Sequence, residues 1–460
     1  MPFLRKRALP FVAFALMVGC GGGDSATDTS NGADSSTNDT DAGINAAIDA
    51  SAASVDGATA HDSAVHVADA GMASDSAVHP TDAGVTPTDS AVMPTGDAMT
   101  SALLHPGLLT TQIDISGIKN NLNNEPWKSA LTALEQSSYA SLAYAAKPYV
   151  TVSCGSYNMP NIGCDQIVDD GMAAYVQSLL WVLTGDQARA QKAISILNGW
   201  ASTWQSNTDS NAPLVAAWAA PWYMNAAELL RHMGGNWSAA DVQQFEGFSR
   251  RLLPYMTSDV PGNNWLMSKI EAQMAIAVFL DDSTEFQNSL SRWTSAIPTY
   301  FYVTSDGKTP VLLAGETTSP WKTSAYVNGQ CMETCRDFGH TRLGFDSVIY
   351  AARVAWSQGH DLFKAEAPRL AAFMELHASW TTGVSSVPTS ICNGNGVLCS
   401  GQTNSPKMPC GEPGWEIAVD QLGHRLGMSL PLSEGMLAKA QPVGPAHWNL
   451  KPETLIHGIF

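Results

Sequence analysis

Residues 21–100 contain no Trp, Phe, Tyr, Lys, Arg or Glu, although they include thirteen Asp. A segment without bulky apolar side chains cannot bury enough surface to offset its ordering entropy. Its imperfect repeats, such as DSAVHVADAG and DSAVHPTDAG, are too short and too poor in apolar residues for a solenoid. We therefore predict a disordered acidic tether over residues 20–100, which its like charges keep extended.

The N-terminus lacks an apolar run of the roughly 20 residues that a bilayer-spanning helix needs. Three basic residues precede a short apolar stretch that ends at Gly19-Cys20. This pattern is typical of a secretory signal, and a cysteine after a small residue is typical of a bacterial lipoprotein. We predict a signal peptide over residues 1–19 and acylation of Cys20. Lipid alone would then hold the protein on the outer membrane, with simple secretion as the alternative.

Basic residues are scarce, since 24 Lys and Arg stand against 42 Asp and Glu and give a net charge of −18. The tether and signal together carry −10, which leaves −8 for residues 101–460. This acidic balance argues against nucleic acid as a partner, because phosphate binding needs clustered Lys and Arg. An anionic polysaccharide is not excluded, because a local cleft can be basic on an acidic body.

Cysteine patterns typical of zinc sites are also missing, because the seven cysteines after Cys20 form no CxxC pair with nearby histidines. The sequence therefore indicates no metal and no cofactor. Export favours disulfides, and Cys154 with Cys164 would close one loop. A second loop could be closed by two of three later cysteines, Cys392, Cys399 and Cys410. Cys331 and Cys335 could pair only outside a regular helix, or with other partners.

Strand patterns are limited to PYVTVS and TYFYVTSDG…TPVL, while helical periodicity fills most of residues 101–460. One long segment, DDGMAAYVQSLLWVLTGDQARAQKAISILNGWASTW, predicts two helices that break at Gly185-Asp186. With no second linker visible, we predict one all-α domain of about a dozen helices. A solenoid of helical pairs and a closed ring of hairpins, the α/α toroid, both fit this pattern.

Aromatic and amide side chains cluster in the segments NAPLVAAWAAPWYMN, PGNNWLMSK and SPWKTSAYVNGQ. Rings stack on pyranose faces and amides bond hydroxyls, so such loops suit a sugar cleft. The candidate substrate-binding residues are Trp222, Asn263, Trp265 and Gln330. Alternatively, the tryptophans fill gaps between helices, and Asn263 and Asn264 form a turn and an N-cap.

The segment GQCMETCRDFGHTRLG gathers Glu333, Arg336, Asp337 and His340 at i, i+3, i+4 and i+7. If the segment is helical, all four side chains share one face. An exposed ion pair would explain Glu333 and Arg336 alone. The amide-rich loop upstream and the apolar helix downstream favour a position at the mouth of a helix ring, where His340 could titrate near neutral pH.

In order along the chain, five blocks resemble the alginate-lyase-like polysaccharide lyase superfamily. They are HPGLLTTQIDISGIKNNL, DDGMAAYVQSLLWVLTGDQARAQKAISILNGW, NNWLMSKIEAQMAIAVFLDD, NGQCMETCRDFGHTRLGFDSVIYAARVAWSQGHDLF and PGWEIAVDQLGHRLG. The resemblance implies an α/α toroid that cleaves a uronic-acid polymer by β-elimination. Alginate, glucuronan or a related polyuronide would be the substrate, and the protein an enzyme without a cofactor.

The resemblance also implies site residues. Asn264, with Asn263 beside it, would bind the substrate carboxylate, and Glu333 would share a proton with that carboxylate. His340 would be the general base for the C5 proton, and Arg336 would bind an anionic neighbouring sugar. Asp337 could hold the His340 tautomer, but one helical turn is an awkward geometry for it, so a structural role is expected.

A tyrosine generally donates the proton in these lyases, yet this chain has no tyrosine after Tyr350. Tyr326 is the first candidate donor. Three further candidates follow it, Tyr223, Tyr144 and His424. The missing tyrosine leaves a non-catalytic polyuronide-binding lipoprotein as an alternative. A glycoside hydrolase on the same toroid would need two carboxylic acids across a cleft, which residues one helical turn apart cannot provide. The sequence indicates no oligomeric state.

Overall fold

The computed structural model describes residues 102–457, apart from residues 157–158, 259–262, 318, 322, 324, 387, 389, 393–414 and 446–449. The predicted signal peptide, the predicted acylation site Cys20 and the predicted tether lie outside the described residues, as do Cys399 and Cys410. All described residues belong to a single unit.

Inner and outer helices alternate along the chain. The four inner helices are buried over most of their circumference: α3 (Cys164–Thr184), α5 (Ala212–His232), α7 (Asn264–Phe279) and α9 (Phe338–Ser357). Each packs against the next inner helix in this order. The four outer helices bury one face only: α4 (Gln187–Thr203), α6 (Ala239–Thr257), α8 (Ser283–Tyr300) and α10 (Leu362–Thr381). Helical hairpins therefore build the ring, which confirms the predicted α/α toroid.

Shorter elements complete the fold. The remaining helices are α1 (Gln112–Asn121), α2 (Trp127–Gln136), α11 (Glu416–Ala418), which continues as a π-helix over Val419–Arg425, α12 (Pro431–Ala440) and α13 (Glu453–His457). Three short strands form one sheet in the order β2–β1–β3: β1 (Thr151–Cys154), β2 (Asn161–Ile162) and β3 (Ser206–Thr208). β1 pairs antiparallel with β2 and parallel with β3. Within the described ranges, no helix is both long and apolar enough to cross a bilayer.

The predicted break between α3 and α4 is confirmed. Gly185 ends α3 with a left-handed backbone (φ 81°), which glycine adopts without a Cβ clash. The side chain of Asp186 then accepts a hydrogen bond from the Ala188 N–H and caps α4. The strand predicted from TYFYVTSDG…TPVL was wrong. Residues 301–313 form no strand and contribute only the isolated bridge of Phe301 with Cys331.

The inner helices share one direction, which gives the ring two distinct ends. Parallel pairing of β1 with β3 brings the segments before α3 and α5 together. The backbone N–H of Asn264, the first residue of α7, lies 3.5 Å from the side chain of Glu333, which precedes α9. All four N-termini therefore lie at one end of the ring, and Asn263, Asn264, Trp265 and the segment from Glu333 to His340 lie at this end.

The C-terminal segment inserts a lysine among the inner helices. Lys451 is fully buried, with Nζ 3.5 Å from Glu271 of α7 and 4.0 Å from the ring centroid of Trp222 of α5. Nearby, the Tyr350 hydroxyl of α9 donates to Glu453 at 2.6 Å. The segment thus joins α5, α7 and α9 through polar contacts within the ring.

Buried carboxyl groups in this region make stability depend on pH. Burial raises the pKa of Asp346 to about 7, whereas an unfolded chain ionises Asp near pH 4. Between these pH values the folded state keeps a proton that the unfolded state has released. A rise in pH therefore destabilises the wild type relative to Asp346→Asn, by about 1.4 kcal/mol per pH unit between about pH 5 and 7.

Denaturant unfolding of both proteins at pH 5, 6 and 7 measures this difference. The comparison cancels the buried titrating groups that do not interact with Asp346, because these are common to the two chains. The buried His377 and His457 are examples, since burial lowers their pKa to about 4 and about 3. A constant difference across the three pH values would contradict the prediction.

Candidate active site

The charged segment before α9 is not helical. Turns occupy residues 332–336, and α9 begins at Phe338 with Asp337 as its N-cap. The expectation that four ionisable side chains share one helix face was therefore wrong. Asp337 has an extended backbone (φ −171°, ψ 165°), and its side chain accepts from a first-turn N–H instead of continuing the helix.

One carboxylate both caps α9 and holds the histidine. Asp337 Oδ1 accepts from the His340 backbone N–H at 2.8 Å, and Asp337 Oδ2 lies 2.6 Å from His340 Nδ1. Burial opposes ionisation of Asp337, but the hydrogen bond and charge of His340 outweigh it and lower the pKa of this carboxyl. The expected awkward geometry was wrong, because the N-cap backbone turns the Asp337 side chain back toward His340. Nδ1 of His340 is therefore held by Asp337. The ring is one-third exposed, so its Nε2 is available to a substrate.

Glu333 connects this segment to the neighbouring inner helix. Its buried carboxylate places Oε1 3.5 Å from the Asn264 backbone N–H and Oε2 3.8 Å from Arg336 Nη1. The Arg336 side chain is 37 % exposed, whereas that of Glu333 is 7 % exposed. Glu333 therefore contacts the start of α7 and the Arg336 guanidinium, and Arg336 is the more accessible of the two.

The two asparagines of NNW have different environments. Asn263 is the N-cap of α7, since its Oδ1 accepts from the Trp265 N–H at 3.0 Å, and it remains partly exposed. Asn264 is buried, and its Oδ1 has no hydrogen-bond partner among the described residues. The N-cap alternative is thus confirmed for Asn263. The N-termini of α7 and α9 lie next to Arg336, and the carboxylates of Glu333 and Asp337 already compensate part of their positive charge, so the exposed guanidinium of Arg336 is the main group here that attracts an anion.

The aromatic and amide residues that were predicted to bind substrate differ in how deeply they are buried. Trp265 is partly exposed in the first turn of α7. Trp222 is fully buried beneath Lys451 Nζ, so its ring has no free face for a sugar. Gln330 is also fully buried, where Oε1 accepts from the Val327 N–H at 3.1 Å. Direct sugar contact therefore does not fit Trp222 or Gln330, because ring packing and loop hydrogen bonds already use these side chains.

The candidate proton donors already have partners or are buried. The Tyr326 hydroxyl donates to the Thr323 carbonyl at 2.9 Å, and the Tyr144 hydroxyl donates to Asp170 at 2.7 Å. Tyr223 is fully buried, and His424 Nδ1 lies 3.9 Å from Asp420 on the π-helix. Among the described residues, no hydrogen bond or ion pair joins any of these four side chains to His340.

Sequence reasoning overlooked Tyr300, a tyrosine that packs against the charged segment. Its carbonyl accepts from the Met332 N–H at 2.9 Å, and a Cβ added to Gly344 of α9 would lie 2.0 Å from its hydroxyl oxygen. Burial, followed by the nearby Cys331 and Glu333, raises the pKa of Tyr300. This fully buried side chain supports the segment and requires glycine at position 344. No sequence motif marks it, because it lies at the end of α8.

Several contacts anchor the segment that carries Glu333 and Arg336. Thr334 Oγ1 accepts from the Cys331 N–H at 2.9 Å and lies 3.1 Å from His377 Nε2 of α10. A disulfide joins Cys335 to Cys392. Cys331 is a buried free thiol, and burial raises its pKa to about 11, which makes it unreactive near neutral pH.

The disulfide predictions have mixed outcomes. Cys154 pairs with Cys164 as predicted. Cys392 pairs with Cys335 and not with Cys399 or Cys410, so the proposed second loop was wrong for Cys392. The alternative of another partner for Cys335 is confirmed, because this residue lies in a turn and not in a helix.

Replacing Cys335 and Cys392 together with serine should reduce both stability and turnover. The bond closes a loop of 57 residues, and its loss should lower the free energy of unfolding by about 2–4 kcal/mol. Glu333 and Arg336 should also lose their fixed positions, so kcat should fall at temperatures where the protein remains folded. Denaturant unfolding and initial rates measure the two effects. The Cys154→Ser/Cys164→Ser variant is the matched control, and an equal loss of kcat in it would refute a specific role for the second disulfide.

Known proteins resemble this chain in sequence and in fold. A family model described as alginate lyase matches residues 138–386, which is more than half of the chain. An alginate lyase from Bacteroides ovatus has a TM-score of 0.53 at 12 % identity, with 78 % of this chain and 100 % of that chain covered. Alginate lyase A1-III from Sphingomonas species A1 has a TM-score of 0.54 at 14 % identity, with 79 % and 99 % covered.

A variant of alginate lyase A1-III complexed with a tetrasaccharide gives a TM-score of 0.54 at 15 % identity, with 78 % and 96 % covered. Among curated proteins, none matches the chain. At these identities the structural neighbours show the fold alone. The family match contains helices α3 to α10 and the whole charged segment before α9. On this basis the chain is a polysaccharide lyase and belongs to the alginate lyase family.

Proposed function

We propose that the chain cleaves alginate, or a closely related polyuronide, by β-elimination at the N-terminal end of α7 and α9. The observation that carries the proposal is the Asp337–His340 pair, which fixes Nδ1 and leaves Nε2 for the substrate. A base within reach of the C5 proton is the first requirement of this elimination. The second is a group that stabilises charge on the uronate carboxylate as the proton leaves.

The carboxylate of the substrate is assigned to the space beside Asn263 and Arg336. Both side chains are partly exposed, and both lie at the adjoining N-termini of α7 and α9. Helix N-termini and a guanidinium stabilise the enolate-like transition state, because its carboxylate gains negative charge. Glu333 and Asn264 are buried behind this surface, so we assign them to positioning Arg336 and the start of α7.

Proton transfer is assigned to His340 in both directions. Nε2 takes the C5 proton, the electron pair forms the C4–C5 double bond, and the C4–O4 bond breaks. The imidazolium then returns a proton to O4, which one residue can do when both atoms lie on the same face of the sugar. Tyr326 remains the alternative donor, chosen from the sequence because the tyrosine that the resemblance implies is missing after Tyr350. Its hydroxyl is bonded to the Thr323 carbonyl, which favours His340.

Removal of the Tyr326 hydroxyl separates the two donors. If His340 returns the proton, Tyr326→Phe should keep kcat within about 3-fold of the wild type, since a proton donor contributes about 10²–10⁴-fold. Initial rates on the best substrate measure this change. A loss above about 100-fold, with an unchanged melting temperature, would assign the donor role to Tyr326.

The proposed activity is tested by ultraviolet absorbance of the unsaturated uronyl product. The panel contains polymannuronate, polyguluronate, glucuronan, hyaluronan and pectate. The proposal expects a rise on at least one alginate polymer or on glucuronan. A folded protein that binds alginate without producing absorbance would support the polyuronide-binding alternative and refute the lyase assignment of this site.

For localisation, we infer export and acylation at Cys20 from the sequence of residues 1–20. Two disulfides support export, because they persist in oxidising compartments. Incorporation of labelled palmitate into the wild type but not into Cys20→Ala would support the anchor. Equal labelling of both proteins would refute acylation at this cysteine.

A further inference from the structure

A His–Glu–His cluster lies at the end of the ring opposite the candidate active site. Glu228 and His232 are one turn apart near the C-terminus of α5, and His105 comes from the segment before α1. Imidazole nitrogens and a carboxylate oxygen of the three residues all lie within 4.8 Å of one another. Because 123 residues separate His105 from Glu228, no sequence spacing indicates the cluster.

In this cluster, the Glu228 carboxylate lies between the imidazole rings of His105 and His232 and contacts both. Glu228 Oε1 lies 3.1 Å from His105 Nδ1 and 3.6 Å from His232 Nε2. The imidazoles stack with centroids 4.4 Å apart and planes inclined by 11°, so one ring must turn before the in-plane lone pairs of both can reach a single ion. The second carboxylate oxygen, Oε2, accepts from the Gly107 N–H at 3.1 Å and lies 3.0 Å from His105 Nδ1. Glu228 is 1 % exposed, so its orientation is fixed by these contacts.

We propose that His105, Glu228 and His232 form a binding site for a divalent transition metal, with zinc as the best match. Tetrahedral zinc, with bonds of about 2.0–2.2 Å, holds its ligand atoms about 3.3–3.5 Å apart. The observed separations of 3.1 and 3.6 Å on either side of Oε1 bracket this value. Two imidazoles and one carboxylate suit zinc, whereas magnesium and calcium prefer oxygen ligands.

Neighbouring groups supply the rest of such a site. The Gly107 N–H bond to Oε2 orients the Glu228 carboxylate, as outer hydrogen bonds commonly do for metal ligands. Asp281, which follows α7, places Oδ1 3.8 Å from His105 Nε2 and is mostly exposed. Burial lowers the pKa of His232, whereas the hydrogen bond and charge of Glu228 outweigh burial and raise the pKa of His105, so a bound metal would displace a proton from His105. Water would take the fourth position of the metal.

The site would fasten the N-terminal segment to the inner helices. Near the cluster, Gln358 after α9 already accepts from the Leu104 N–H at 2.8 Å and donates to the Gly107 carbonyl at 2.8 Å. A metal bridging His105 to α5 would add to the hydrogen bonds that already link this segment to the C-terminal ends of the inner helices. Its role would be structural and separate from the chemistry at His340.

The alternative to a metal site is a metal-free ion pair of His105 with Glu228. Measurements of metal binding distinguish the metal site from the ion pair. The purified full chain is stripped with EDTA, and its melting temperature is measured with added ZnCl₂, CaCl₂ or MgCl₂. At a free zinc concentration about 100 times Kd, the melting temperature should rise by about 3–4 °C. Zinc should bind at one equivalent per chain by titration calorimetry, and calcium and magnesium should produce no shift.

The variants His232→Gln and Glu228→Gln should lose the zinc-dependent shift, whereas His424→Ala, at an exposed histidine elsewhere, should retain it. Visible absorption of bound Co²⁺ in the wild type gives a measure that needs no variant, because tetrahedral coordination by nitrogen and oxygen has a distinct intense spectrum. No zinc-dependent shift, or the same shift in His232→Gln, would overturn the proposal. If that variant does not fold, the absence of a tetrahedral Co²⁺ spectrum in the wild type overturns it.

Discussion

Replacing His340 with glutamine is expected to lower kcat on the best polyuronide by at least about 10³-fold, because one ring is assigned both proton transfers. Glutamine retains a polar side chain of similar reach but cannot accept the C5 proton. KM should change little, since the substrate carboxylate is assigned to Asn263 and Arg336. The backbone N–H of residue 340 still donates to Asp337, so α9 keeps its cap.

Initial rates from absorbance of the unsaturated product measure this loss, with thermal unfolding as the check on folding. His424→Ala is the matched control, because His424 is also a partly exposed histidine paired with an aspartate in its own helix. It should keep wild-type kcat. A His340→Gln protein with more than about a tenth of wild-type kcat would place the base elsewhere, since a general base contributes about 10²–10⁴-fold.

Local sequence signals predicted the helices well. The Gly185-Asp186 break depends on a left-handed backbone and an N-cap, and both act within a few residues of the chain. The same locality explains why Asn263 was correctly read as a potential cap of α7. The ring itself was predicted through a family resemblance, because periodicity alone also allowed a solenoid.

The sequence did not predict the features that depend on contacts between residues far apart in the chain. Burial of Trp222 depends on Lys451, which arrives from the C-terminal segment. The pairing of Cys335 with Cys392 and the contact of His105 with Glu228 span 57 and 123 residues. Neither has a local pattern, since each depends on how the hairpins close. The helical reading of residues 331–337 failed for a different reason, because i, i+3, i+4 and i+7 spacing cannot show that Asp337 caps the helix.

Among variants that keep His340, a substitution of Asp337 is expected to cause the largest loss of kcat. Substitution by asparagine keeps an oxygen for the His340 backbone N–H but presents an amide N–H toward Nδ1. Nδ1 must then accept, so the proton moves to Nε2, and the ring can no longer take the C5 proton there. We expect kcat to fall by about 10²–10⁴-fold, the range for loss of a correctly held tautomer and base.

Serine at the same position provides the control for the cap. Ser is about as good an N-cap as Asp, so Asp337→Ser should change the free energy of unfolding by less than about 1 kcal/mol. It leaves Nδ1 without its carboxylate, so both tautomers are populated and kcat should fall less than in Asp337→Asn. Rates and denaturant unfolding of the two variants measure the two effects separately. If kcat instead followed stability across both variants, Asp337 would act on α9 alone. If kcat fell more in Asp337→Asn than in Asp337→Ser at comparable stability, its carboxylate would set the proton position on His340.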